Sequence, residues 1–270
     1  TAIIAGREIP ITGAAGDQQA AAVGQGCFVK GGVKATYGTG AFLIATAGRT
    51  PPVSDNRLLS TLGWRLDGQT TYALEGSIFV AGSAVQWLRD GLGLIGDAAE
   101  TEALALSVRD NGGAMFVPAF AGLGAPWWQP EARGLISGLS GGTNRAHIVR
   151  ACLESMGNQT ADVLEAMAAD GVTPNVVKVD GGMVRNDWLC QDLADSLGIE
   201  IERPEIIETT AMGAAMLAGV GAGLFASLDE AEVAMRRVER HFQPRINADA
   251  RQKRRETWKH AIAQVKAGLE

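Results

Sequence analysis

Cysteine, histidine and positive charge are all scarce in this chain. The three cysteines, Cys27, Cys152 and Cys190, stand far apart in 270 residues and offer neither a disulfide framework nor a thiolate metal site. The three histidines, His147, His241 and His260, fall in no metal-ligand spacing. A net charge of -6 leaves no basic footprint for a phosphate backbone, so nucleic acid is not an expected partner. No run of about 18 apolar residues is present to cross a bilayer. The opening "TAIIAGREIP" shows no charged-then-apolar leader and no initiator Met. These absences set the expectation of a fragment of a longer protein, working in a reducing cytoplasm.

What is present is enough apolar material for a sizeable core, 46% hydrophobic against 20% charged, without solenoid repeats or low-complexity tracts. Residues 33–37 and 41–46 read as two strands joined by Gly38-Thr39-Gly40. "TLGWRL" and "TTYAL" read as a second hairpin around Asp67-Gly68. Ile78, Ala81, Val85 and Leu88 follow at helical spacing up to Gly91. "AMFVPAF", the turn at Pro126-Trp127-Trp128 and "GLISGL" suggest an insert or a sheet edge.

A long helix is expected from a cap at Thr143 or Asn144, with Val149, Leu153, Met156, Val163 and Met167 as its buried stripe. "NVVKVDGG" has the form of a buried strand breaking at its carboxyl end. Leu189, Leu193 and Leu197 mark a helix and "IEIERP" a strand. "TTAMGAAMLAGVGAG" predicts a helix that packs very close to its neighbours, and a charged helix closes the chain over about 247–268. Hairpin strands followed by helix, strand, helix, strand, helix point to an α/β fold, an actin-like (ribonuclease-H-like) domain with a mixed sheet flanked by helices.

Two local features carry chemistry. "GAAGDQQAAAVGQ" sets a carboxylate, Asp17, at the head of a helix of small residues with Gln18 beside it, after glycines that let a ligand approach the backbone. An Asp in that place is ordinarily a helix cap, and that alternative stands on the residues alone. Gly38-Thr39-Gly40 offers N–H groups and a hydroxyl to an anion, although most such tips are only turns. "VDGGMVRND" places glycines where α/β sheets bind nucleotides, at a strand's carboxyl end before a helix. An acid for a hydroxyl's proton beside a cradle for phosphates is what phosphoryl transfer to an alcohol requires. Trp127 and Trp128 are expected to pack with their N–H groups partnered rather than to serve as a ligand platform.

The segments "GAAGDQQAAAVGQ", "KATYGTGAFL", "ALEGSIFVAGSAVQWLRD", "FVPAFAGLGAPWW", "VDGGMVRNDWLCQDLADSLG" and "ERPEIIETTAMGAAMLAG" closely resemble the carboxyl-terminal domain of the FGGY family of carbohydrate kinases, and within it the members that act on glycerol. The resemblance implies one such domain over 1–270, with the amino-terminal kinase domain absent. It implies ATP and Mg2+ as cofactors and a polyol, glycerol first, as substrate, phosphorylated to glycerol 3-phosphate. By the same resemblance Asp17 is the general base, Gln18 holds a polyol hydroxyl and Phe42 packs on the polyol carbons. Gly38, Thr39 and Gly40 meet the ATP phosphates, Gly82 and Gln86 line the nucleotide site, and Gly182 and Asn186 meet the adenosine.

The magnesium ligands stay unassigned, and homo-oligomerisation stays open. The isolated chain is expected to bind nucleotide weakly and to turn nothing over, because the family's first domain supplies most acceptor contacts. "IAGREIP" differs from the glycine-rich basic segment of feedback-regulated relatives, so that regulation is not expected. The alternatives are a kinase of another polyol or ketose in the family, or a non-catalytic actin-like ATP-binding module.

Overall fold

The computed structural model describes residues 1–66 and 68–269. A short hairpin, β1 (Ala2–Ile4) with β2 (Arg7–Ile9), opens the chain. Then come α1 (Asp17–Gly24), β3 (Val33–Tyr37), β4 (Ala41–Gly48), β5 (Leu59–Leu66), β6 (Gln69–Ile78), α2 (Gly82–Asp90) and α3 (Glu100–Leu106). The strands β7 (Met115–Val117) and β8 (Leu135–Ser137) precede the long α4 (Arg145–Ala169). The rest alternates: β9 (Val176–Asp180), a 3-10 turn at Gly182–Arg185, α5 (Asp187–Leu197), β10 (Glu200–Pro204), α6 (Thr209–Gly221), α7 (Leu228–Met235), β11 (Val238–Phe242) and α8 (Ala248–Ala267).

Seven strands form one mixed sheet in the order β11-β10-β9-β3-β4-β6-β5. Within β6-β4-β3-β9-β10 only β4 runs against the others, since β3, β9 and β10 pair in parallel and β4 is antiparallel to both β3 and β6. This is the mixed sheet expected of the actin-like, ribonuclease-H-like class.

Strand alternation gives the sheet two unlike faces. Val33, Ala35, Tyr37, Leu43, Ala45, Leu74, Val177 and Val179 point one way, all buried, into the main core with α2, α4 and α5. Each large side chain withdrawn from water there contributes roughly 1.5–3 kcal/mol. The opposite face, under α1, mixes the apolar Ile44 with Lys34, Thr36 and Asp180.

α4 begins where expected, at Asn144, whose side chain accepts from the N–H groups of Ala146 (2.9 Å) and His147 (3.3 Å). The five residues of its expected stripe are all buried. The Ala/Gly helix α6 lies directly on α1: a Cβ on Gly24 would strike the Thr209 carbonyl, and one on Gly213 the Ala20 carbonyl. α8 is fastened to α4 through buried Asp162, which accepts from Arg255 (2.6 Å), Trp258 Nε1 (2.8 Å) and Trp127 Nε1 (3.0 Å).

Three expectations need comment. Ile78 belongs to β6, paired with Ala41, and the helix starts only at Gly82. Both elements bury one face at that junction, so a short apolar series satisfies either period. β7 and β8 form a separate two-stranded sheet, an insert rather than an edge. Asp67, named for the second hairpin, lies outside the described residues, and the strands on either side of it pair antiparallel. Among the described residues no helix is long and apolar enough to cross a membrane.

Candidate active site

Parallel pairing of β3 with β9 brings two carboxyl ends together, with Thr36 opposite Asp180. The turn after β3, Gly38-Thr39-Gly40, and the turn after β9, Gly181 to Arg185, therefore sit side by side, and a Cβ on Gly181 would lie 2.5 Å from the Tyr37 carbonyl. The amino end of α2 docks on the first turn: Gly82 N donates to Gly38 O (2.9 Å), while Ala81 N and Ser83 N donate to Thr39 O (2.9 and 3.0 Å). These three pieces wall a cavity of about 230 Å³ lined by Gly38, Thr39, Gly82, Val85, Gln86, Arg89, Ala98, Gly182 and Met183.

Five of the seven residues expected at the nucleotide line this cavity: Gly38, Thr39, Gly82, Gln86 and Gly182. The Thr39 hydroxyl has no hydrogen-bond partner among the described residues, and Thr39 and Gln86 are exposed. Gly40 is not in the lining. A Cβ there would lie 2.5 Å from the Ile78 carbonyl, so its role is to let the turn pack on β6. Nor is Asn186, whose Oδ1 caps α5 by accepting from Leu189 N (2.9 Å) while its Nδ2 donates to Thr101 Oγ1 (3.2 Å). Val85, Arg89, Ala98 and Met183 were not foreseen. Val85 was legible only as one of the apolar stripe, and Ala98 carries no local signal at all.

The other half of the site lies under α1. Gly16 is the N-cap and makes no side-chain cap bond; Asp17 is the first helical residue, exposed, with its Oδ1 accepting from Gln18 N (2.8 Å). Asp17 is thus not a cap of the usual kind, which bonds one or two residues further on. Gln18 Oε1 accepts from Lys34 Nζ, which also donates to Thr36 Oγ1 (2.8 Å). Lys34 is fully buried, and burial pulls its pKa down, while Asp180, Cys27, Glu75 and Asp17 favour its charged form. Phe42, 37% exposed, stands across from Thr36 on β4. Burial pushes the half-buried Glu75 carboxyl upward, against the pull of Lys34, and Asp17 adds to the rise. Asp180 is held by Thr209 Oγ1 (2.6 Å) and Gln25 Nε2 (3.0 Å).

The structure brings together Asp17 and Gln18 at one helix start and Phe42 on the strand beneath. Lys34, Thr36, Glu75 and Asp180 went unforeseen. The available signal was a lysine at alternation within the otherwise strand-like "VKATY".

Magnesium is ordinarily held by carboxylates, phosphate oxygens and water. The cavity lining contains no carboxylate, so it makes no magnesium site by itself. Glu200, Glu202 and His241 do cluster, but on β10 and β11. There Glu202 pairs with Arg236, and Glu200 with His241 at 2.5 Å. Trp127 and Trp128 are half-buried with both indole N–H groups partnered, by Asp162 and by the Arg57 carbonyl (2.6 Å).

Residues 33–222 match the model described as the FGGY family of carbohydrate kinases, C-terminal domain. Glycerol kinase of Rhodospirillum rubrum is 57% identical over 265 residues, covering 98% of this chain and 53% of that protein. Glycerol kinase of Alteromonas mediterranea is 56% identical over 263 residues, covering 97% and 53%. The crystal structure of Plasmodium falciparum glycerol kinase with ADP superposes with a TM-score of 0.87 at 37% identity, over 93% of this chain and 50% of that one. The chain spans about half the length of the curated relatives it matches.

Proposed function

The chain belongs to the FGGY family of carbohydrate kinases, as its carboxyl-terminal domain, and from that premise we propose that it is the nucleotide-binding half of an enzyme that phosphorylates glycerol at the expense of ATP. The observation that carries this reading is that two unlike sites share β3: a glycine-walled cavity at the carboxyl ends of β3 and β9, and an exposed carboxylate at the head of α1 whose amide neighbour, Gln18, is tied to β3 through Lys34.

In this reading the Thr39 hydroxyl and the backbone of the turn at Gly38–Gly40 hold the phosphates, the start of α2 keeps that turn in place, and Gln86, Gly182 and Met183 flank the nucleoside. Asp17 takes the proton of the attacking hydroxyl as the bond from its oxygen to the γ-phosphorus forms and the bond to the β-γ bridging oxygen breaks, with ADP leaving. Gln18 fixes a second polyol hydroxyl, and the Phe42 ring covers the carbon chain. Such a reaction depends on alignment and on a base within reach more than on covalent chemistry by the protein. Magnesium, if bound with the nucleotide, would neutralise charge on its phosphates, and the cavity lining offers it no carboxylate ligand. Acceptor contacts beyond Asp17, Gln18 and Phe42 come from the half of the enzyme that lies outside this chain.

The test is a panel of glycerol, dihydroxyacetone, tetritols and pentuloses offered with ATP to the full-length protein. Fastest turnover on glycerol supports the reading. Preference for a pentulose moves the protein to a neighbouring branch, and no turnover on any acceptor leaves a non-catalytic nucleotide-binding module. The present chain alone is expected to bind ADP and to turn over nothing.

A further inference from the structure

We propose that Lys34 is a positioning residue of the acceptor site, which holds the side-chain oxygen of Gln18 so that the amide presents only its NH2 group, a donor, to the substrate hydroxyl. The inference rests on the acceptor-site reading above and goes beyond it by fixing the direction of a hydrogen bond.

An ammonium group has three donors and no acceptor, so whichever Gln18 atom faces it must be the oxygen. The contact between Lys34 Nζ and Gln18 Oε1 therefore decides an amide orientation that a free glutamine would leave open. Gln18 Nε2, on the other branch, has no partner among the described residues. The lysine is itself held in place: its stem is fully buried in β3 beneath α1, and its head also donates to Thr36 Oγ1 at 2.8 Å. Three carboxylates from three other elements face it, Asp180 on β9, Glu75 on β6 and Asp17 on α1, with the Cys27 thiol.

A buried charge is costly unless paired, and an apolar side chain of similar length would fill the same space at least as well. Stability alone thus does not call for a lysine here. Its fixed head, directed at one amide of the acceptor site, gives it a use. The consequence for substrate is chemical: the hydroxyl opposite Gln18 must accept a hydrogen bond, which leaves that hydroxyl's own proton free to donate elsewhere.

The experiment uses the full-length protein and begins with wild-type turnover on glycerol. Lys34→Met and Gln18→Ala are each expected to raise the glycerol KM about tenfold or more, as for loss of a charge-assisted or substrate hydrogen bond. The KM for ATP should move less than about twofold. The double variant should be no worse than the worse single one, because both remove the same arrangement. A purely structural lysine would shift both KM values together.

A second measurement needs no variant: glycerol analogues in which a non-reacting hydroxyl is replaced by fluorine or by hydrogen. Fluorine accepts weakly and cannot donate, so the fluoro analogue should bind better than the deoxy one. Additive KM effects, a matching rise in the ATP KM, or fluoro and deoxy analogues of equal affinity would each overturn the proposal. Absence of any wild-type turnover would instead remove the acceptor-site reading, and this inference with it.

Discussion

The two halves of the proposed site are made of different material. The nucleotide side, in this reading, is rich in backbone: glycines at Gly38, Gly82 and Gly182, a docked helix start and a 3-10 turn, with one hydroxyl, one exposed amide and the Arg89 guanidinium. The acceptor side is made of side chains, with Asp17, Gln18, Lys34, Thr36 and Glu75 gathered on or above one face of the sheet. A surface of close-approaching backbone, with Arg89 as its one charged lining residue, gives shape and N–H dipoles and suits a ligand that brings its own negative charge. A proton-transfer site needs titratable groups at set positions. Damage to the first should therefore appear as lost nucleotide affinity, and damage to the second as lost turnover or a raised glycerol KM.

The largest effect expected tests the acceptor half. Asp17→Asn in the full-length protein should lower turnover by about 100-fold to 10,000-fold, the range of a positioned general base. Nucleotide affinity, measured by calorimetry, should stay within about twofold. The complementary change is Gly82→Ala. Its Cβ would lie 2.5 Å from the Gly38 carbonyl and 3.2 Å from Met183, so the cavity wall must shift. Overpacking of this kind costs about 1–3 kcal/mol, which predicts roughly 5-fold to 150-fold weaker nucleotide binding with the glycerol KM little changed. If both variants lost affinity and turnover alike, the division into two halves would fail.

Gly213→Ala sharpens the comparison from outside the site. The new methyl would meet the Ala20 carbonyl and push α6 from α1, the helix that carries Asp17 and Gln18. Thermal unfolding should show a loss of about 1–3 kcal/mol, and residual activity should show a raised glycerol KM before any change in nucleotide affinity.

The smallest effect is a pH slope. Burial lowers the Lys34 pKa in the folded state, so between that lowered value and its ordinary range the unfolded chain binds more protons than the folded one. Stability contributed at this position is therefore least below that window and rises as pH climbs through it. The stability of wild type minus that of Lys34→Met, followed by denaturant unfolding, should increase with pH through this window. A flat difference would mean that burial leaves the lysine unperturbed.

The same contrast explains what could be read from the chain alone. The glycine turn, the "VDGG" strand end and the Asp17-Gln18 helix start are local in sequence. Each is set by conformational demands that neighbouring residues reveal, and five of the seven residues expected at the nucleotide line one cavity. The layout of sheet and helices was similarly legible, because hydrophobic period distinguishes strand from helix over most of the chain. Illegible was whatever depended on register. Lys34 meets Gln18 only because β3 runs beneath α1, and Asp180 and Glu75 join it from strands on either side. Asn186 falls outside the cavity lining for a related reason, its polar atoms being engaged by a helix cap and by Thr101, a residue 85 positions away. Ile78, at the junction of β6 and α2, fits either period and was settled only by pairing with Ala41.

The most direct test of the central claim is a crystal structure of the full-length protein with ADP and glycerol bound together. The account predicts an Asp17 carboxylate oxygen within about 3.2 Å of a glycerol hydroxyl that faces the terminal phosphate, with the phosphates against Gly38–Gly40. Glycerol seated away from Asp17, or phosphates outside the cavity walled by Gly38, Gly82 and Gly182, would contradict it.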